Sequence, residues 1–155
     1  AIAHADIITV GPGSLFTSLV PNLLLRGISD AIVQSAAIKV YICNLMTQAN
    51  ESLGLTAADH IRALNRHAGQ KLFDYALINR APVSDQLKAK YALEGASQIV
   101  ADLDAIEALG VIPVLGDYLE EAGVARHNTT RLAQDLMQLA SGQPTGTTMS
   151  RSVRS

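Results

Sequence analysis

Tryptophan is absent from this chain, aromatic residues make up only 4% of it, and there is a single cysteine, Cys43. A core must therefore rest on Ile, Leu, Val and Ala, which suits parallel strands buried on both faces. A lone thiol excludes an internal disulfide. Set in the apolar run Val40-Tyr41-Ile42-Cys43, it reads as a buried, reduced side chain, the cysteine usage of a cytoplasmic protein. Charge is sparse as well: 17% of residues are charged and the formal net charge is −2. No global field therefore draws the chain to nucleic acid or to an anionic membrane. No apolar run approaches the roughly 18 residues of a membrane span, and no signal-peptide pattern opens the chain. What the chain has in quantity is apolar surface. Its 155 residues are 48% hydrophobic, the composition and length of one globular domain that buries roughly two thirds of its unfolded surface.

Apolar, β-branched segments predict strands at residues 6–10, 39–44, 74–79 and 111–115. Helical patterns at 23–34, 56–68, 84–93 and 102–108 alternate with them, and another, 129–139, follows the last strand. This alternation predicts βαβ units, hence an α/β, Rossmann-like, mostly parallel sheet flanked by helices. Thr56-Ala57-Ala58-Asp59 has the form of a capping box, a hydroxyl at the cap and a carboxylate three residues on. Asn128-Thr129-Thr130-Arg131 offers Asn or Thr caps for the last helix. Residues 1–140 read as part of a domain, and 141–155, rich in Gly, Ser, Thr and Arg without apolar period, as a disordered tail. The first dozen residues run straight into a strand and loop, like the middle of a longer protein.

The most informative stretch is Gly11-Pro12-Gly13-Ser14-Leu15-Phe16-Thr17-Ser18, continuing to Pro21-Asn22. It leaves a predicted strand and enters a helical pattern. Glycines admit close backbone approach, and free N–H groups near a helix start attract anions. On this reading Gly11, Gly13 and Ser14 donate N–H groups to a phosphate while Thr17 and Ser18 add hydroxyls; a tight turn with capping hydroxyls is the plainer alternative. The Gly-Lys-[Ser/Thr] end of a Walker A loop is missing, and the glycine spacing is not that of the dinucleotide fingerprint. A second polar cluster, Asn44-Leu45-Met46-Thr47-Gln48 with Asn50 and Glu51, leaves the next strand at the same end, where parallel sheets place ligands. Asp59, His60, Arg62, Arg66 and His67 read as a solvated helix face. Arg126 and His127 precede the last helix, where a guanidinium can clamp a phosphate.

Taken together, Gly11–Ser18 with Pro21-Asn22-Leu23-Leu24, the run Lys39–Gln48, Ala58-Asp59-His60, Glu94-Gly95-Ala96 and Arg126-His127 resemble the YvcK/CofD-like family. The Gly-Pro-Gly-Ser and Asn-Leu-Met-Thr-Gln forms are closer to its YvcK branch. The resemblance implies a Rossmann-like fold, cytoplasmic location, and a phosphorylated, nucleotide-like ligand. In the gluconeogenesis-factor branch this is a UDP-sugar, with roles in carbon metabolism and cell shape and no established catalysis. In the transferase branch it implies transfer of a phospholactyl group to a deazaflavin, with a magnesium ion. Carried over, Gly11, Gly13, Ser14, Thr17 and Ser18 form the phosphate loop, and Asn22, Asn44, Thr47, Gln48 and Glu51 line the pocket. Tyr91 stacks on a base and Arg126 clamps phosphate. The family's Gly-rich first strand is not in this chain, which implies a C-terminal half whose partner is the N-terminal half of the same protein. An exposed sheet edge would favour homo-oligomers. The segment Gln48-Ala49-Asn50-Glu51-Ser52-Leu53-Gly54 has Leu53 where the family carries an acidic residue, which weakens a metal role for this loop.

Overall fold

Four short apolar runs, the first three each followed by a polar turn and a helix, line up as parallel neighbours in chain order. They are β1 (Ile7–Val10), β2 (Ile38–Ile42), β3 (Tyr75–Asn79) and β4 (Ile112–Gly116), paired β1-β2-β3-β4. The computed structural model of the chain describes residues 1–143. Register is tight: Ile7 pairs with Ile38, Val40 with Tyr75 and Tyr75 with Ile112. Because side chains alternate across a strand, β2 sends Tyr41 to one face and Val40 and Ile42 to the other. The first face meets α1 (Val20–Leu23), α2 (Ile28–Gln34), α3 (Ala57–Ala68) and α5 (Leu103–Ala108) in one apolar cluster. The second face packs on Leu132 and Leu139 of α6 (Thr129–Ala140). Helices thus cover both faces of a parallel sheet, the α/β class expected.

Local chemistry sets the helix ends. Thr56 Oγ1 accepts from the Asp59 N–H at 3.2 Å and Asp59 Oδ2 accepts from the Thr56 N–H at 3.1 Å, closing the capping box of α3. Gly69 then stops that helix at φ +71°, a conformation cheap only for glycine. Asn128 caps α6 through the Arg131 N–H at 2.9 Å, and Ser84 caps α4 (Asp85–Ala92) through the Leu87 N–H at 3.3 Å.

Several expectations need correction. The helix expected over 23–34 is two, α1 and α2, because Gly27 takes φ +83° between them and Ser29 Oγ turns back to the Leu23 carbonyl at 2.8 Å. The stretch Leu15–Leu19, read as loop, is a widely wound π-helical turn running into α1. Beyond β4, where only an acidic run and a polar segment were legible, a hairpin forms from β5 (Leu119–Glu121) and β6 (Ala125–His127). His60 is not on a solvated face: it is fully buried, its Nδ1 donating to the Thr56 carbonyl at 2.8 Å. Cys43 is buried as expected, and burial pushes its thiol up to about 12. No helix among the described residues is long and apolar enough to cross a membrane. The tail expected over 141–155 lies, from residue 144 on, outside the described residues.

Candidate functional site

Because β1 and β2 run parallel and in register, the loops leaving their carboxyl ends must meet. They do so through Asn44, whose amide pairs with Gly13 as a backbone strand would. The Gly13 N–H donates to Asn44 Oδ1 at 3.0 Å, and Asn44 Nδ2 donates to the Gly13 carbonyl at 2.9 Å. Gly11 lets the first loop come this close. It sits at φ +92° with the Ile42 carbonyl oxygen only 2.5 Å from where a Cβ would stand, space that no other residue leaves open. One residue further along the first loop and four along the second, Gln48 Nε2 donates to Ser14 Oγ at 3.0 Å. Gln48 Oε1 is buried with no partner among the described residues.

The second loop is itself braced. Thr47 exchanges two bonds with Ser97, its N–H to the Ser97 carbonyl at 2.8 Å and its Oγ1 accepting from the Ser97 N–H at 2.9 Å. Glu51 then reaches back to the first loop, one carboxylate oxygen accepting from both the Phe16 and Thr17 N–H groups at 2.9 and 2.8 Å. The anion that the start of this turn attracts is thus supplied from within the chain.

The opposite wall comes from α4 and the hairpin. Leu45, Met46, Val83 and Leu87 form a small apolar cluster against which Tyr91, Leu119 and Ala125 pack. Tyr91 OH accepts from the Ala125 N–H at 3.2 Å, Lys90 Nζ donates to the Gly123 carbonyl at 2.6 Å, and the Ser84 N–H donates to Glu121 Oε1 at 2.7 Å. In β6 the alternation turns Ala125 and His127 inward and leaves Arg126 exposed. His127 Nε2 lies 3.0 Å from the Cys43 carbonyl. Burial holds its imidazole below the ordinary 6.5, against the smaller opposing pull of that hydrogen bond.

Loops and wall enclose a cavity of about 500 Å³, within the usual range of small-molecule sites. Of the residues expected at a site, Gly13, Ser14, Ser18, Asn44, Thr47, Gln48 and Tyr91 line it together. Gly11 and Asn22 instead border a more apolar cavity of about 350 Å³ between β1 and the helices, beside Ile8, Leu23 and Ile32. Asn22 Nδ2 donates to the Ser18 carbonyl at 2.7 Å. Thr17 and Glu51 brace the loop from outside the larger cavity, and Arg126, between the lining residues Ala125 and His127 in β6, is exposed and does not line it. Sequence reasoning weighted Arg126 and left His127 aside. Its signal was the alternation of a strand, invisible while the hairpin was not recognised.

Among the described residues the lining contains no carboxylate, ammonium or guanidinium side chain. The lining offers neutral hydroxyl, amide and backbone groups; a site of this kind relies on close backbone approach rather than net charge. Among the described residues no group of three or more His, Cys, Asp and Glu comes together. Glu51 Oε1 is already bonded to two N–H groups, which leaves its second carboxylate oxygen for any cation.

A parallel α/β sheet flanked by helices, with a cavity at its carboxyl edge, defines a domain of the Rossmann-like class. A family model described as 2-phospho-L-lactate transferase CofD matches residues 1–119, and the chain belongs to this CofD/YvcK family. It is 47% identical over 140 residues to a gluconeogenesis factor of Halalkalibacterium halodurans, covering 89% of this chain and 43% of that protein. To the gluconeogenesis factor of Bacillus subtilis it is 42% identical over 140 residues, covering 89% and 44% respectively. A crystal structure of a UPF0052 family protein from Bacillus halodurans superimposes with a TM-score of 0.85 at 46% identity, over 88% of this chain and 44% of that one. The chain therefore spans less than half the length of the relatives it matches.

Proposed function

We propose that the protein binds a nucleotide sugar of the UDP-sugar type as a regulatory ligand, in the manner of the gluconeogenesis factors it is similar to, with a part in carbon metabolism and cell shape. The observation that carries this reading is the cavity at the carboxyl ends of β1 and β2, lined by Gly13, Ser14, Asn44 and Gln48 and walled by the Tyr91 ring. Small residues and the Ser14 and Ser18 hydroxyls suit a diphosphate, and an aromatic wall suits stacking. On this reading the exposed Arg126, which lies between two lining residues of β6, turns to the ligand and supplies the positive charge that the described lining lacks. Ser14 Oγ is bonded to the Gln48 amide rather than to a base, which favours binding over nucleophilic catalysis. Self-association, and docking of further chain on the open β1 edge, belong to the same proposal. The test is calorimetric titration of UDP-N-acetylglucosamine into the full-length gene product; no heat at millimolar ligand overturns it.

A second reading, transfer of a phospholactyl group to a deazaflavin hydroxyl, is favoured by the description of the matching family model. An assay with a deazaflavin acceptor and guanylylated lactate that yields no product removes it.

A further inference from the structure

We infer that His127 is a hydrogen-bond acceptor of this cavity, taking a hydroxyl or N–H hydrogen from the uncharged polar part of the bound ligand. The inference rests on reading the cavity as a ligand site and assigns a role to a residue that the phosphate-loop reading leaves unused. The Cys43 carbonyl, 3.0 Å from Nε2, can only accept, so Nε2 carries the hydrogen. In a neutral ring that leaves Nδ1 with a free lone pair. Nδ1 makes no hydrogen bond among the described residues, and it is not a buried orphan, while the ring lines the cavity. Of the other lining side chains, Asn44 is spent on Gly13, Gln48 Nε2 on Ser14 and Thr47 on Ser97, while Gln48 Oε1 has no partner among the described residues but is fully buried.

The ring is held neutral by its surroundings. From β2 and its carboxyl end it meets Cys43, buried among apolar neighbours; from α4 the cavity receives the Tyr91 phenol, whose oxygen accepts from Ala125. The loops 12–18 and 44–48 bring no titratable side chain to the lining. On its own hairpin the charged neighbours, Glu120 and Arg126, are exposed. Among the described residues no carboxylate lines the cavity to stabilise an imidazolium, so protonation turns the acceptor into a second donor and costs ligand affinity.

The test uses the full-length gene product and UDP-N-acetylglucosamine, titrated calorimetrically at several pH values into wild type, His127→Gln and His127→Phe, with circular dichroism confirming that each variant is folded. Wild-type affinity is expected to fall as pH drops through the His127 titration. His127→Gln, which keeps both a donor for Cys43 and an acceptor, is expected to bind within a few-fold of wild type with that pH dependence gone. His127→Phe is expected to lose at least tenfold. Unchanged affinity in His127→Phe, or a pH profile that survives in His127→Gln, overturns the inference. A ligand-free measurement separates it from the broader reading: a long-range ¹H–¹⁵N spectrum at pH 7 must show hydrogen on Nε2 and none on Nδ1. The opposite tautomer overturns the inference even where the nucleotide sugar binds. Wild-type protein that takes up no nucleotide sugar overturns the reading of the cavity, and the inference with it.

Discussion

The carboxylate of Glu51 accepts a 2.8 Å hydrogen bond from the backbone N–H of Thr17, 34 residues earlier in the chain, and the same oxygen takes the Phe16 N–H at 2.9 Å. Glu51 therefore acts as a remote cap for the turn that follows the glycine loop. Removing it in Glu51→Ala strands two N–H groups and frees the loop, and the expected cost is about 1 kcal/mol, the usual size of a lost cap. Glu51→Gln keeps an acceptor oxygen and is expected to recover most of this. Amide hydrogen exchange checks it: the Phe16 and Thr17 amides should exchange faster in Glu51→Ala, and unaltered exchange contradicts the bracing role.

Gly11 makes a sharper demand. At φ +92° with the Ile42 carbonyl oxygen 2.5 Å from a would-be Cβ, alanine meets both a backbone penalty of about 1–2 kcal/mol and a collision with the strand that anchors the site. Gly11→Ala is expected to lose more stability than Gly54→Ala, where φ is +74° but nothing lies within 4 Å. Urea unfolding of the two variants compares them directly; equal losses would mean the loop yields without cost.

The strands and most helices were legible because each depends on its own residues. β-branched runs such as Ile7–Val10 and the Thr56–Asp59 box need no distant partner to be read. So was the meeting of the 11–18 and 44–48 loops, since adjacent parallel strands place their exits together. What escaped is held by distant contacts. The strands of the hairpin have three residues each and are tied to α4 through Glu121–Ser84 and Lys90–Gly123. His60 flanks the Ile61–Leu64 stripe of α3, and its burial hangs on one bond to the Thr56 carbonyl. Glu51 finds its partners through folding, so no spacing announces them.

Arg126 separates ligand binding from stability. Its side chain is exposed and forms no ion pair among the described residues, so Arg126→Ala is expected to change unfolding free energy by less than about 0.5 kcal/mol. Nucleotide-sugar affinity is expected to drop at least tenfold, about 1.4 kcal/mol, and to lose part of its salt dependence. Isothermal titration at two ionic strengths measures both; full affinity in the variant rules out the clamp.

On the other face, the Tyr118 hydroxyl donates to Asp135 Oδ2 at 2.6 Å, both side chains buried, and pins α6 to the sheet. Burial first, then the neighbouring carboxylate, pushes the phenol well above its ordinary value. Tyr118→Phe leaves a buried carboxylate oxygen without its donor and is expected to cost about 1.5–3 kcal/mol. Asp135→Asn keeps an acceptor and should cost less. Chemical denaturation of both, with unchanged m-values, checks the order.

His127 also predicts how stability depends on pH. Its folded value lies below the ordinary 6.5 that the unfolded chain shows. Between the two, the unfolded state holds a proton that the folded state does not, so stability rises with pH through that window. The contribution is complete above 6.5 and lost as pH falls toward the depressed folded value. Asp59, Asp117 and Glu121 are also held low, by the Thr56 backbone, Arg80 and Ser84 respectively. Their contributions fade only at more acid pH, below the ordinary carboxylate values, so the two windows stay apart. Subtracting the pH–stability curve of His127→Gln from that of the wild type isolates the imidazole. The difference should rise with pH just below 6.5 and be flat above it. A difference that falls with rising pH would mean the folded state favours the imidazolium, and the neutral acceptor in the cavity would have no basis.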